Sequence, residues 1–122
     1  MSVLSGIRVI ELANERISWA GKLMGDMGAD VILVESEEGE ASRSYPPFLD
    51  DQPGENRSLY FWHYNTSKRS VVLDLEQNTE QFLELVKSAD ILIESEPIHR
   101  LSKLKSRTQV THSWPVLLCP AG

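Results

Sequence analysis

The stretch AGKLMGDMGADVILVE, residues 20–35, joins an amphipathic segment to an almost continuous apolar run. Around its first half, three large apolar residues recur at helical spacing: Trp19, Leu23 and Met27. Gly28 is placed to end this helix in a left-handed turn, which glycine adopts without strain. Residues 29–35 predict a strand that is covered on both faces, as strands of parallel sheets are.

The same pattern extends in both directions. Upstream, the β-branched run Gly6–Leu12 predicts a first strand, and Ser18 is the predicted cap of the helix that follows. Downstream, Ser36–Arg57 is rich in proline, glycine and acids and predicts a long loop that covers a site. The remaining predicted elements are a short helix at Ser58–His63, a strand at Ser70–Leu75, a helix capped by Asn78 and Gln81 with Phe82, Leu85 and Val86 on one face, and a strand at Ile91–Glu94.

Alternating strands and helices are typical of an α/β fold with a parallel sheet and helices on its faces. Ligands of such sheets bind beyond the carboxyl ends of the strands. Three predicted loops share that edge: ANERIS (residues 13–18), ESEEG (residues 35–39) and ESEP (residues 94–97). We therefore expect a binding site there.

Composition limits the function classes. With 122 residues, 41% hydrophobic and 25% charged, the chain predicts one soluble domain. The single Cys119 excludes an internal disulfide and favours a reducing, cytoplasmic compartment, and no apolar run is long enough to span a membrane. A net charge of −6 argues against nucleic-acid binding. All acids lie at or before Glu96, so that part carries −10 and the remainder +4.

Common cofactor motifs are missing. No glycine lies between the first strand and its helix, which argues against a dinucleotide site, and no Gly-Lys-Ser or Gly-Lys-Thr motif suits a triphosphate. Three histidines and the cysteine lack metal-ligand spacing and give only a weak metal signal: His63, His99, His112 and Cys119.

The segment YNTSKRSVVLDL, residues 64–75, places two cations before a predicted strand. Lys68 either belongs to a solvated turn or binds an anionic ligand, with Asn65 adding directional hydrogen bonds. The preceding rings at 62–64 flank a planar group or pack in the core. Two roles are considered for Asp74, a structural residue at the end of the strand and a catalytic carboxylate, and the structural role is favoured.

Four segments together resemble family III CoA-transferases of the CaiB/BaiF type: LSGIRVIELA, AGKLMGDMGADVILVE, NRSLYFWHYNTSKRSVVLDL and FLELVKSADILIE. The resemblance runs from about Leu4 to Leu104. It implies that residues 1–105 are the amino-terminal part of a larger Rossmann-like domain, here incomplete, and that residues 106–122 are a divergent, irregular tail.

The resemblance also implies an activity. Family members move CoA between carboxylic acids through intermediates on an aspartate, and that aspartate lies beyond the end of this chain. We expect no tightly bound cofactor, CoA or acyl-CoA as substrate, a homodimer for the family, self-association of this fragment, and no activity of the chain alone.

By the same resemblance, the turn Asn65, Thr66, Ser67 and Lys68 is expected to contact CoA. Arg16, Ser95 and Lys103 stand at further contact positions, where other members carry glutamine, asparagine and arginine, and Ser36 replaces a common cation. A Lys68 ammonium paired with a neighbouring acid, away from any cleft, would argue against this role.

Two alternatives stay open: a non-catalytic module that binds CoA, a nucleotide or a transferase subunit, and an α/β domain unrelated to CoA.

Overall fold

A five-stranded parallel sheet forms the centre of the structure, a computed structural model that describes residues 2–54, 56–96, 103 and 116–118. The spatial order is β3-β2-β1-β4-β5, and every neighbouring pair is parallel. The strands are β1 (Arg8–Leu12), β2 (Asp30–Glu35), β3 (Lys68–Val72), β4 (Ile91–Ile93) and β5 (Val116–Leu118).

Helices cover both faces of this sheet. They are α1 (Ser18–Asp26), α2 (Leu59–Tyr64) and α3 (Thr79–Lys87), with short 3₁₀ helices at Ala41–Ser44 and Leu49–Asp51. The chain runs from β1 to its neighbour β2 and on to β3, and then crosses back so that β4 lies on the other side of β1. Because each crossover is right-handed, this change of direction places α1 and α3 on opposite faces of the sheet. The predicted α/β fold is confirmed.

Two apolar clusters fill the space between sheet and helices. On the α3 face, Phe82 and Val86 are fully buried against β1, β2 and β4. On the α1 face, Val9, Val31 and Ile93 pack under partly buried residues of α1. β2 contributes to both clusters, as its apolar run predicts.

Helix α1 turns its small residues inward. Trp19, Leu23 and Met27 share a face as predicted, but their exposed fractions are 50%, 41% and 44%. The residues of α1 that are buried are Ser18 and Gly21. Small residues face inward because this helix packs closely against the sheet, with space for hardly more than hydrogen at Gly21.

The predicted helix ends are partly wrong. Gly28 has φ +101° and ends α1 as expected, and Ser58 caps α2 by accepting the Phe61 N–H at 3.1 Å. Ser18 does not cap α1; its hydroxyl donates to the Glu15 carbonyl. Asn78 occupies the cap of α3, but its side chain accepts the Asp74 N–H and so forms no capping box.

Strand β3 starts at Lys68, two residues before the predicted start, and ends at Val72. Asp74 ends the extended segment because its carboxylate accepts the N–H groups of Glu76 and Gln77. Asp74 therefore has the structural contacts that its strand-end position favoured.

The last residues carry a strand where an irregular tail was predicted. Val116–Leu118 pairs in parallel with β4. The other residues of the range 106–122, with His112 and Cys119, lie outside the described residues, as does His99. Among the described residues, no helix is long and apolar enough to cross a membrane.

Candidate functional site

The carboxyl ends of β1, β2 and β3 surround an open cavity of about 350 Å³. This is the edge at which the sequence predicted a site. Its lining is rich in carboxylates: Glu15, Glu35, Glu40, Asp74 and Glu96, together with Asn14 and Ser36. Such a lining repels phosphate groups and suits the neutral amide, hydroxyl or amine portions of a ligand.

A second cavity of about 450 Å³ adjoins the first, because Glu35, Ser36 and Gly39 line both. It extends past the ends of β2 and β3, where Phe48 and Val72 supply apolar walls. The two cavities together form one open region along the carboxyl edge, which we call the edge cleft.

Glu35, at the end of β2, anchors the wall of the edge cleft. Arg43 holds this buried carboxylate with two hydrogen bonds, Nε to Oε1 at 2.8 Å and Nη2 to Oε2 at 2.9 Å, and Ser70 donates a third at 2.7 Å. Burial opposes ionisation, but the bonds from Arg43 and Ser70 outweigh it and lower the pKa of Glu35. The same guanidinium lies 4.0 Å from the centroid of Phe61. The long loop is thereby fixed to the sheet.

The turn 65–68 lies at the opposite, amino edge of β3, and its side chains bind within the protein. Asn65 donates to the Phe61 carbonyl, Thr66 accepts from Lys22 at 2.7 Å, and Ser67 donates to Asp26 at 3.0 Å. These bonds tie the turn to α1 and α2. The turn therefore has internal structural contacts, but it is not the solvated turn considered for Lys68, whose side chain is 2% exposed.

Lys68 forms a buried ion pair with Glu11 of β1. Nζ lies 2.9 Å from Oε1 and 3.0 Å from Oε2, and the two side chains are 2% and 0% exposed. The ammonium also donates to the Ser18 carbonyl at 3.0 Å and to Asn65 Oδ1 at 2.7 Å. A Lys68 ammonium paired in this way with a neighbouring acid argues against a ligand contact. We therefore do not assign a phosphate contact to Lys68.

Two glycines of α1 make this packing possible. A Cβ at Gly21 would lie 1.7 Å from Glu11 Oε1 and 2.8 Å from its Cδ. A Cβ at Gly25, one turn later, would lie 2.9 Å from the Ser67 carbonyl oxygen. Sequence reasoning missed both residues, although their spacing of four was a signal for a helix face that touches another backbone.

The remaining predicted contact residues belong to other segments of the chain. Arg16 is exposed in the loop between β1 and α1, and Ser95 follows β4, so both are at the carboxyl edge. Lys103 is exposed. The structure thus brings together Asn65, Thr66, Ser67 and Lys68, and Lys68 connects this group to the Ser18 carbonyl at the end of the loop that carries Arg16.

Rings 62–64 do not pack in the core, one of the two interpretations given for them. Trp62 is 44% exposed, so it is not in the core. Tyr64 instead sits among other rings, with centroid distances of 4.7 Å to Tyr60, 4.7 Å to His63 and 6.3 Å to Trp19. These rings form an aromatic surface across α1 and α2.

No group of three or more His, Cys, Asp or Glu among the described residues is arranged to hold a metal ion.

The buried pair makes stability depend on pH. Desolvation outweighs the attraction of Lys68 and raises the pKa of Glu11 from 4.5 to about 7, and burial lowers the pKa of Lys68. Because the pKa of Glu11 is higher in the folded chain than in the unfolded chain, the group stabilises the fold at pH values below its unfolded-state pKa. This contribution is lost as the pH rises through the folded-state pKa. Between about pH 5 and pH 8, the wild type is therefore expected to lose stability relative to Glu11→Gln. Urea unfolding across this range measures the difference; a difference that stays constant with pH contradicts the expectation.

The sequence model of CoA-transferase family III matches residues 4–114. The chain belongs to CoA-transferase family III. The family inferred from the four sequence segments is thereby confirmed. The match covers most of the chain, including the loop with Arg16, the turn 65–68 and the residues that line both cavities of the edge cleft.

Curated relatives of this family III chain are much longer. A succinate–glutarate CoA-transferase from Agrobacterium fabrum is 47% identical in an alignment 98 positions long, which covers 75% of this chain and 24% of the relative. A succinyl-CoA:mesaconate CoA-transferase from Haloarcula hispanica is 40% identical in an alignment 98 positions long, which covers 78% of this chain and 25% of the relative. The family III chain spans about a quarter of the length of these relatives.

Solved structures share its fold. A CAIB/BAIF family protein from Brucella suis superposes with a TM-score of 0.74 and 36% identity, over 86% of this chain and 30% of that one. A hypothetical protein from Mycobacterium tuberculosis gives a TM-score of 0.73 at 32% identity, over 98% of this chain and 32% of that one. The family III chain thus matches about a third of the length of each of these structures.

Proposed function

We propose that this chain is the amino-terminal CoA-binding portion of a CoA-transferase that moves CoA between carboxylic acids. The observation that carries the proposal is the family match across residues 4–114. The edge cleft supports it, because an α/β sheet binds its ligand at the carboxyl edge. CoA or acyl-CoA is then a substrate and not a resident cofactor.

The reacting aspartate belongs, in this proposal, to polypeptide outside the chain. Family members use an aspartate as nucleophile, which is covalent catalysis. Within the chain, Asp74 is committed to backbone N–H groups of the following turn. We therefore propose that the chain alone binds CoA without transferring it, in a cytoplasmic setting and as part of a dimer in the complete protein.

Arg16 is the cation we propose for the anionic end of CoA. It is exposed beside the edge cleft, and no salt bridge joins it to another residue among those the structure describes. Ser95 adds a hydroxyl: its Oγ is buried and has no hydrogen-bond partner within the described ranges. We keep the turn 65–67 as a backbone contact and Lys103 as a further cation in the proposal.

Calorimetric titration of the folded chain with CoA tests this assignment. Arg16→Ala is expected to weaken CoA binding by about 1.5–3 kcal/mol, the usual contribution of a hydrogen bond to a charged group. Arg69→Ala is the matched control, because Arg69 pairs with Asp30 at the amino edge and is expected to leave the affinity unchanged. Equal losses in both variants would contradict the assignment to Arg16.

A subunit-interaction module is the second candidate. It is favoured by the exposed face of α1, where Trp19, Leu23 and Met27 form an apolar stripe. No heat of CoA binding from folded wild type, together with self-association in sedimentation experiments, would favour this module over CoA binding.

A further inference from the structure

The Lys68 ammonium joins the two ends of the β1–α1 loop, residues 13–17. One acceptor is Glu11, at the end of β1, and another is the carbonyl of Ser18, the first residue of α1. The third is Asn65 of the turn before β3. One buried group therefore fixes where this loop leaves the sheet and where it enters the helix.

All donors of this ammonium are used. A lysine ammonium carries three N–H bonds, and the structure gives it three partners, Glu11, Ser18 and Asn65. The side chain is 2% exposed, so a phosphate would have to break one of these bonds to reach it. The loop, in contrast, carries the exposed Arg16 and the cavity-lining residues Asn14 and Glu15.

We propose that Lys68 and Glu11 are positioning residues: they hold the β1–α1 loop in its binding shape at the edge cleft, and neither touches the ligand. The link to CoA rests on the proposed function, whereas the hold on the loop does not. Within the loop, the Ile17 N–H bonds the Asn14 carbonyl, and the Arg16 N–H bonds Asn14 Oδ1. Because this shape depends on its two fixed ends, removal of the ion pair releases it.

Glu11→Gln separates a positioning role from a direct contact. If Lys68 bound a phosphate, neutralising Glu11 would free the ammonium and strengthen CoA binding. In our proposal, Glu11→Gln and Lys68→Met each weaken binding about tenfold, a size typical when the support of a binding residue is lost.

Hydrogen exchange gives a readout that does not need CoA. The amides of Ala13 and Ile17 are hydrogen-bonded, to the carbonyls of Val34 and Asn14. In Glu11→Gln, Lys68→Met and the double variant, their exchange is expected to be at least about tenfold faster relative to amides of α3, which serve as the internal reference. Lys22→Met is the matched control: Lys22 binds Thr66 and Asp26 and does not reach the loop.

The double variant removes both charges, so it is expected to regain stability while the loop amides stay fast and CoA binding stays weak. Unchanged exchange of Ala13 and Ile17 in the single variants would overturn the proposal. Tighter CoA binding by Glu11→Gln would overturn it as well. If wild type does not bind CoA, the proposed function fails, and the exchange data still decide whether the pair positions the loop.

Discussion

Gly21→Ala is expected to lower the free energy of unfolding by about 2 kcal/mol or more, although alanine normally stabilises a helix by about 1 kcal/mol relative to glycine. The new Cβ would lie 1.7 Å from Glu11 Oε1, which no real contact allows, and 3.1 Å from Lys68 Cε. The carboxylate is fully buried and fixed by its ion pair. Either α1 must lift from the sheet or the pair must break, and both cost packing.

Urea unfolding of purified variants measures this effect. Gly54→Ala is the control, because its Cβ would meet only the flexible side chain of Arg57, at 2.9 Å; a change within about 0.5 kcal/mol is expected there. A Gly21→Ala chain that is as stable as wild type, or more stable, would show that α1 does not lie this close to Glu11.

Arg43→Ala is expected to cost about 3–5 kcal/mol, the range observed when one partner of a buried ion pair is removed. Glu35 is 4% exposed at its side chain, and Arg43 supplies two of its hydrogen bonds. Its stacking on Phe61 is lost as well. Arg43→Lys is expected to recover only part of this stability, since an ammonium cannot reproduce the two parallel bonds of a guanidinium.

The pKa of the Glu35 carboxylate provides a second test of the role of Arg43. Its bonds to Arg43 and Ser70 keep the pKa of Glu35 low against the effect of burial, so Arg43→Ala is expected to raise that pKa in a carbon-13 NMR titration. Arg57→Ala serves as control, because Arg57 binds the Leu49 and Gln52 carbonyls within an exposed loop. An unchanged Glu35 pKa in Arg43→Ala would contradict the expected coupling.

The parts of the fold that depend on local patterns were predictable. The apolar run of β2 predicted a strand buried on both faces, Gly28 predicted the end of α1, and Ser58 marked the start of α2. Each of these signals acts within a few residues. The cap at Ser18 was wrong, and Asn78 has the predicted cap position without the capping bond, because backbone groups nearby offered these side chains different partners.

The partners of Lys68 were not predictable from local pattern. Glu11 lies 57 residues away in the chain, and the two strands that carry them are separated by β2 in the sheet. The charges of Lys68 and Glu11 meet because of the order of the strands in the sheet and because Gly21 and Gly25 let α1 pack closely over them. Arg43 was missed for another reason: its partner Glu35, eight residues earlier, ends a strand that local pattern described as almost continuously apolar.

Helix α1 and the ion pair beneath it constrain each other's composition. Position 21 has no room for a side chain while position 11 carries a long acid that points at it. A larger residue at 21 therefore requires a shorter one at 11, and a shorter one at 11 leaves the ammonium of position 68 without its counter-charge. Three positions far apart in the chain must change together, so any redesign of this helix starts from the sheet.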